Sequence, residues 1–201
     1  MIWYEDDVKA AELEKTKLDY EPKLIFYGSS SIRLWDSLYQ CFAMYHPLNL
    51  GFGGSTLAAC DWYFNRLLQN CHPSHLVFYA GDNDLGDGRR PEEVFIFFEQ
   101  FVTSFNNLYP GSTFTFISIK PSIARWAIVD DIRTTNSYIE NYIHQSVPNA
   151  YYLSIFDNML GMNGLPMADL FEQDGLHLSQ KGYNLWNEIL MKHLKQIIKI
   201  Q

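Results

Sequence analysis

Cysteine is scarce: the 201 residues include only Cys41, Cys60 and Cys71. An odd number without CxxC spacing excludes a disulfide framework and a structural zinc site, and reads as small buried apolar residues in a reducing compartment. Positive charge is also short. Fifteen Lys and Arg against 23 Asp and Glu leave a net charge of −8, and no basic run concentrates them. That excludes an electrostatic footprint for nucleic acid or an anionic membrane. No apolar run approaches the length of a membrane span. The N-terminal MIWYEDDVKAAELEK is acidic and lacks the apolar segment of a signal peptide. Together these absences predict a cytoplasmic protein with neither nucleic-acid nor integral-membrane partners. Apolar residues are plentiful at 47%, aromatics make up 16%, and charged residues only 19%. That composition supports one globular domain over residues 1–201 with a sizeable core. The surplus of aromatics leaves room for a homo-oligomer or an aromatic-lined pocket.

Apolar runs alternate with helical patterns about five times along the chain. Residues 23–27 (KLIFY), 46–50 (HPLNL), 75–80 (HLVFYA), 113–119 (TFTFISI) and 150–154 read as strands. Residues 32–42, 57–69, 91–109, 128–147 and 179–198 read as helices, with Ser55 or Thr56 capping the second. Pro91 suits the first turn of the third, and Glu92 and Glu93 suit its positive end. Residues 5–19 predict a further N-terminal helix. The alternation implies an α/β fold, a parallel sheet covered by helices on both faces. In such sheets ligands bind beyond the carboxyl ends of the strands.

Four segments stand at those ends or just before a helix. Gly28-Ser29-Ser30-Ser31 follows the first strand: a sharp turn, then serines at a helix N-terminus, where developing negative charge is favoured. Asn49-Leu50-Gly51-Phe52-Gly53-Gly54-Ser55 follows the second; its glycines let the Gly54 N–H approach a substrate oxygen. It is not placed or spaced as a dinucleotide fingerprint. Gly81-Asp82-Asn83-Asp84 follows the third, and Asn83 can offer a side-chain N–H. Asp174-Gly175-Leu176-His177 precedes the last helix and pairs an acid with a base. Each has an ordinary reading alone, as a cap, a turn or a satisfied loop histidine. In this order they supply what acyl transfer requires: nucleophile, oxyanion donors, base and orienter.

These blocks resemble those of the SGNH hydrolases, the GDSL-like lipases and esterases. Gly28-Ser29-Ser30 stands where the family has Gly-Asp-Ser, Gly54 matches its glycine, Gly81-Asp82-Asn83-Asp84 matches Gly-x-Asn-Asp, and Asp174 and His177 match Asp-x-x-His. The resemblance runs from residue 24 to about residue 186. The chain is most similar to a small bacterial branch carrying GSSSIRLW, GFGGST, AGDND, FISIKPS and DGLHLS, itself similar to the catalytic subunits of platelet-activating-factor acetylhydrolase. The resemblance implies a three-layer, flavodoxin-like α/β fold around a parallel sheet of about five strands. It implies a serine esterase with Ser30 as nucleophile and Asp174 and His177 completing the triad. The oxyanion donors are then the N–H groups of Ser30 and Gly54 and the side chain of Asn83.

Position 29 departs from the family, with Ser replacing Asp. That makes Ser29 and Ser31 rival nucleophiles, and alignment on Gly28 selects Ser30. The chemistry calls for no metal and no cofactor, and the expected partner is a small-molecule ester with a short, acetyl-type acyl group. Asp84, Arg125 and Trp126 are the expected substrate contacts, with Arg33 and Trp35 as further candidates that are as readily surface ion pair and core. Three other readings share the pattern: acyl transfer or deacetylation on a glycan, a non-catalytic binding module on the same scaffold, and a flavodoxin-like nucleotide binder whose Ser-rich loop cradles a phosphate.

Overall fold

A computed structural model describes residues 2–198, so the expectation of one domain over 1–201 reaches past the described residues at both ends. The sheet consists of β1 (Leu24–Gly28), β2 (Pro47–Gly51), β3 (His75–Tyr79), β4 (Thr113–Ile117) and β5 (Ala150–Leu153). Its order is β2-β1-β3-β4-β5, and every pairing is parallel. Strands buried on both faces lose the alternation of a half-exposed strand, and LIFYG and HLVFY are accordingly apolar throughout and buried at every position.

One face is covered by α1 (Glu5–Thr16), α4 (Leu57–Leu68), α6 (Pro91–Leu108) and α7 (Val129–Ser146). Val94, Phe98, Phe101, Val102 and Phe105 form the buried stripe of α6. Phe101 stacks on Phe78 of β3 with ring centroids 3.8 Å apart. The other face is covered by α8 (Gln180–Ile197), through Tyr183, Trp186, Leu190 and Leu194, and by two single helical turns, α2 (Ser30–Arg33) and α3 (Leu38–Cys41). A last short helix, α5 (Asp82–Gly86), follows β3.

One predicted element is corrected, and two local readings are decided. The helix expected over 32–42 is broken into α2 and α3, because Trp35 turns into the core between Phe26, Phe42 and Trp186, at 5.5–5.8 Å between ring centroids. Thr56, not Ser55, caps α4, accepting the Ala59 N–H at 3.2 Å. The Asp82–Asp84 segment is the first turn of α5 and not a simple turn. The three cysteines are free, with Cys60 and Cys71 buried. No described helix is long and apolar enough to cross a membrane.

The N-terminal helix has few buried residues, Val8 and Ala11, and packs on β2 and α4. Charge holds it there: Arg66 of α4 reaches Glu5 and Glu12 together, each at 2.9 Å.

At the sheet edge away from the carboxyl ends, His75 is buried between Thr113 and Thr115, its nitrogens 2.7 and 2.8 Å from their hydroxyls. Burial and the neighbouring His193 lower its pKa from 6.5 to about 3. The folded value lies below the unfolded one, so stability is full above pH 6.5 and falls as the pH drops toward 3. We predict that between pH 7 and pH 4 the wild type loses about 3 kcal/mol more stability than His75→Gln, read from urea unfolding of both proteins at the two pH values. Equal pH dependence in the two proteins would contradict this account of the buried imidazole.

Candidate active site

In the order 2-1-3-4-5 the crossovers diverge at β1 and β3, and the carboxyl ends of these strands flank the crevice where such sheets bind ligands. Gly28 ends β1 at φ +133°, and a Cβ there would sit 1.9 Å from the Tyr79 carbonyl oxygen. Only glycine permits this approach, and it lets the Ser29 N–H donate to Tyr79 C=O at 2.9 Å. Ser29 then starts α2, its carbonyl accepting the N–H groups of Ile32 and Arg33 at 2.9 and 3.1 Å. The Ser30 N–H, in the first turn, has no such partner among the described residues. Burial separates the three serines: Ser29 and Ser31 are 0% and 1% exposed, whereas Ser30 is half-buried. The buried hydroxyls of Ser29 and Ser31 have no hydrogen-bond partner, and nothing in the structure explains Ser in place of the motif's Asp.

The loop before α8 folds Asp174 and His177 onto one turn. Gly175 takes φ +65°, and the pairing of Phe171 with Leu178 closes the loop at its base. Asp174 Oδ1 accepts the N–H groups of Leu176 and His177, both at 2.9 Å, and Oδ2 lies 2.6 Å from His177 Nδ1. The bond from His177, then that from the Leu176 N–H, holds the Asp174 carboxyl down at about 2. An ionised acid at Nδ1 fixes the tautomer that leaves Nε2 as the basic nitrogen. His177 borders a cavity of about 300 Å³ together with Leu34, Asp36, Ser37, Glu172 and Tyr183. The Tyr183 hydroxyl donates to the Ser31 carbonyl at 3.1 Å, fastening α8 to the serine turn. Asp174 and His177 are thus joined, while no hydrogen bond links His177 to Ser30. In free enzymes this last contact is often long and tightens with substrate.

Gly54 stands exposed at φ +67°. Asn83, in the first turn of α5, donates Nδ2 to the Ser55 carbonyl at 3.0 Å and accepts from Arg125 Nη2 at 2.9 Å. One amide hydrogen of Asn83 therefore remains for another acceptor. Arg125 also lies 3.1 Å from Asp82, which accepts from Lys120 Nζ at 2.8 Å. Burial alone would raise the Asp82 carboxyl; the adjoining Lys120 and Arg125 charges outweigh it and hold the group below its usual value. Lys120 is 2% exposed and also donates to the Tyr79 hydroxyl at 3.1 Å. Asp82 and Lys120 were not among the residues the sequence singled out; their signal was a lysine closing an apolar strand, FISIK, opposite an acid at the next strand end. The Ala124 N–H donates to Gly175 C=O at 3.1 Å, so the Arg125 loop also braces the histidine loop.

The chain matches the GDSL-like lipase/acylhydrolase family over residues 25–185. It belongs to that family. It is accordingly a serine hydrolase acting on ester bonds. Solved structures share the fold. A protein provisionally assigned as a platelet activating factor, from Streptococcus pneumonia, is 20% identical with a TM-score of 0.82, over 96% of this chain and 94% of that one. A GDSL-like lipase from Bacteroides thetaiotaomicron is 16% identical with a TM-score of 0.77, over 97% and 98%. A carbohydrate esterase of family 3 from Talaromyces cellulolyticus is 15% identical with a TM-score of 0.69, over 87% and 96%. No curated protein matches the chain.

Within this GDSL-like hydrolase, the expected substrate contacts fall in different places. Asp84 is fully buried and belongs to the frame beneath the site: it accepts the Leu57 N–H at 2.8 Å and Arg89 Nη1 at 3.0 Å. Burial pushes its carboxyl up to about 6. Arg125 spends its guanidinium on Asn83 and Asp82, and Trp126 is half-buried with the Arg133 guanidinium 5.9 Å from its ring. Arg33 pairs with Asp7 at 3.5 Å. Trp35 is core, its Nε1 donating to Asn187 at 2.9 Å.

The contact at the end of β1 makes a direct prediction. Gly28→Ala should destabilise the protein by more than about 2 kcal/mol, because the clash is with backbone and the φ is positive. Urea unfolding measures it, and an unchanged midpoint would show that β1 and β3 can separate without cost.

Proposed function

We propose that this GDSL-like hydrolase cleaves esters of short, acetyl-type acyl groups through an acyl-enzyme on Ser30. The observation that carries the reading is the 2.6 Å Asp174–His177 pair, which stands just before α8, itself fastened to the turn of the half-buried Ser30 by the Tyr183–Ser31 hydrogen bond. Ser30 Oγ attacks the ester carbonyl as His177 Nε2 takes its proton. The resulting oxyanion is met by the N–H groups of Ser30 and Gly54 and the free amide hydrogen of Asn83. Collapse of the intermediate breaks the bond to the alcohol, which leaves with the proton from His177. Water repeats the sequence on the acyl-enzyme, with the same imidazole as base, and releases the acid. Asp174 stabilises the imidazolium throughout. The cavity of about 300 Å³ beside His177 meets the nucleophile's segment at Leu34 and not at Ser30 itself, so it has room for part of a small substrate next to the base.

A second reading, deacetylation of or acyl transfer to a glycan, is favoured by Asp36, Ser37, Glu172 and Gln180 lining that cavity. Such side chains suit a hydroxyl-rich alcohol, and the likeness to a carbohydrate esterase points the same way. Adding a sugar acceptor to the assay and measuring transfer against hydrolysis decides between them.

Hydrolysis of p-nitrophenyl acetate, butyrate and octanoate tests the main reading. Acetate should be turned over fastest. Ser30→Ala and His177→Ala should each lower kcat by at least about 1,000-fold with the fold intact by circular dichroism. Wild-type turnover in Ser30→Ala would end the assignment, and octanoate as the best substrate would replace short acyl with long.

A further inference from the structure

The loop carrying Gly54 is fixed residue by residue. The Phe52 N–H donates to the Gly28 carbonyl at 2.9 Å, and the Ser55 carbonyl accepts from Asn83 at 3.0 Å. The two glycines between them are held from elsewhere. The Gly53 N–H donates to Asp7 Oδ2 at 2.6 Å, and the Gly54 carbonyl accepts from the Tyr4 hydroxyl at 3.2 Å. Both side chains come from the N-terminal helix or the turn that leads into it, ahead of the residues that match the family. Asp7 also lies 3.5 Å from Arg33, the last residue of α2, whose first residue is Ser30. Tyr4 further packs edge-on against Phe52, with ring centroids 5.7 Å apart.

We propose that Asp7 and Tyr4 are positioning residues that aim the Gly54 N–H at the developing oxyanion. The inference rests on the reading of Gly54 as an oxyanion donor. Consecutive glycines have the widest choice of backbone conformations, so a donor on such a loop is aimed only if other groups restrict it. No atom of the rest of the chain lies within 4 Å of where a Gly54 Cβ would be, so packing does not restrict it there. Asp7 fixes one end of the Gly53–Gly54 pair by a charge-assisted bond, and Tyr4 fixes the other. An oxyanion donor accelerates the reaction only when it is already oriented as charge develops. The Asp7–Arg33 pair is about 40% exposed at both ends, so as an ion pair it adds little stability. Its consequence is geometric: one carboxylate touches both the nucleophile's helix and the oxyanion loop.

The test compares kcat and KM on p-nitrophenyl acetate, with melting temperature, for Asp7→Ala, Asp7→Asn, Tyr4→Phe and Glu12→Gln. Asn83→Ala serves as the reference for a lost oxyanion donor. Asp7→Ala should lower kcat by roughly 10–100-fold, short of the roughly 100–1,000-fold for a deleted donor, with KM within about twofold. Asp7→Asn keeps an acceptor oxygen and should recover most of the loss. Tyr4→Phe should lower kcat several-fold. Glu12→Gln loosens the same helix at Arg66 and should lower the melting temperature while leaving kcat unchanged. If Asp7→Ala does not fold, Tyr4→Phe, which removes a single oxygen, decides. Wild-type kcat in the Asp7 and Tyr4 variants, with Asn83→Ala impaired, overturns the positioning role and leaves the oxyanion reading standing. A loss in Glu12→Gln equal to that in Asp7→Ala overturns it as well, because the helix then acts through stability. Full activity in both Asn83→Ala and Ser30→Ala removes the acyl-enzyme reading and this proposal with it.

Discussion

The contact on which the site depends is between two backbones. β1 and β3 run so close at their carboxyl ends that the side chain missing from Gly28 is replaced by the Tyr79 carbonyl. That contact turns the chain out of the sheet, gives the Ser29 N–H a partner, and starts α2 with Ser30 in its first turn. It also sits at the crevice where the crossovers diverge, so the sheet topology and the chemistry share one point. Two other elements of the site are tied directly to it. The Phe52 N–H returns to the Gly28 carbonyl, and the Tyr183 hydroxyl returns to Ser31.

Around that point the loops are joined by polar groups and not by packing alone. A chain of contacts runs from the Ser55 carbonyl through Asn83 to Arg125, then to Asp82 and Lys120, and ends on the Tyr79 hydroxyl of β3. The neighbouring Ala124 binds Gly175 in the histidine loop. Buried charges of this kind add little net stability as a set. Removing one member leaves the others unpaired in a low dielectric, which is costly. Such a network therefore favours one arrangement of the loops over its alternatives, which is what a preorganised site requires.

The sheet was legible because its strands are apolar on both faces and its helices carry regular stripes. Five strands and the long helices stand within a few residues of their predicted bounds. The first crossover was misread: residues 32–42 have helical composition, yet the inward turn of Trp35 outweighs propensity and splits the segment. The Asp174–His177 pair was legible because a spacing of two residues places both side chains on one turn, as the 2.6 Å contact reflects. Asp84 shows the limit. Its residue type and its place next to Asn83 suggested a substrate contact, but the sequence cannot say that α5 turns it inward onto the start of α4. The hold of Asp7 on Gly53 joins residues 46 positions apart and no local pattern encodes it, while the Lys120–Asp82 pair, 38 positions apart, left only the lysine that closes FISIK as its trace.

The central claim is that one serine of three carries the acyl group. Labelling the whole protein with a fluorophosphonate and sequencing the modified peptide by mass spectrometry tests it directly. A single adduct on Ser30, blocked by prior incubation with an ester substrate, is the result this account predicts. An adduct on Ser29 or Ser31, or no adduct on a protein that hydrolyses esters, would contradict it.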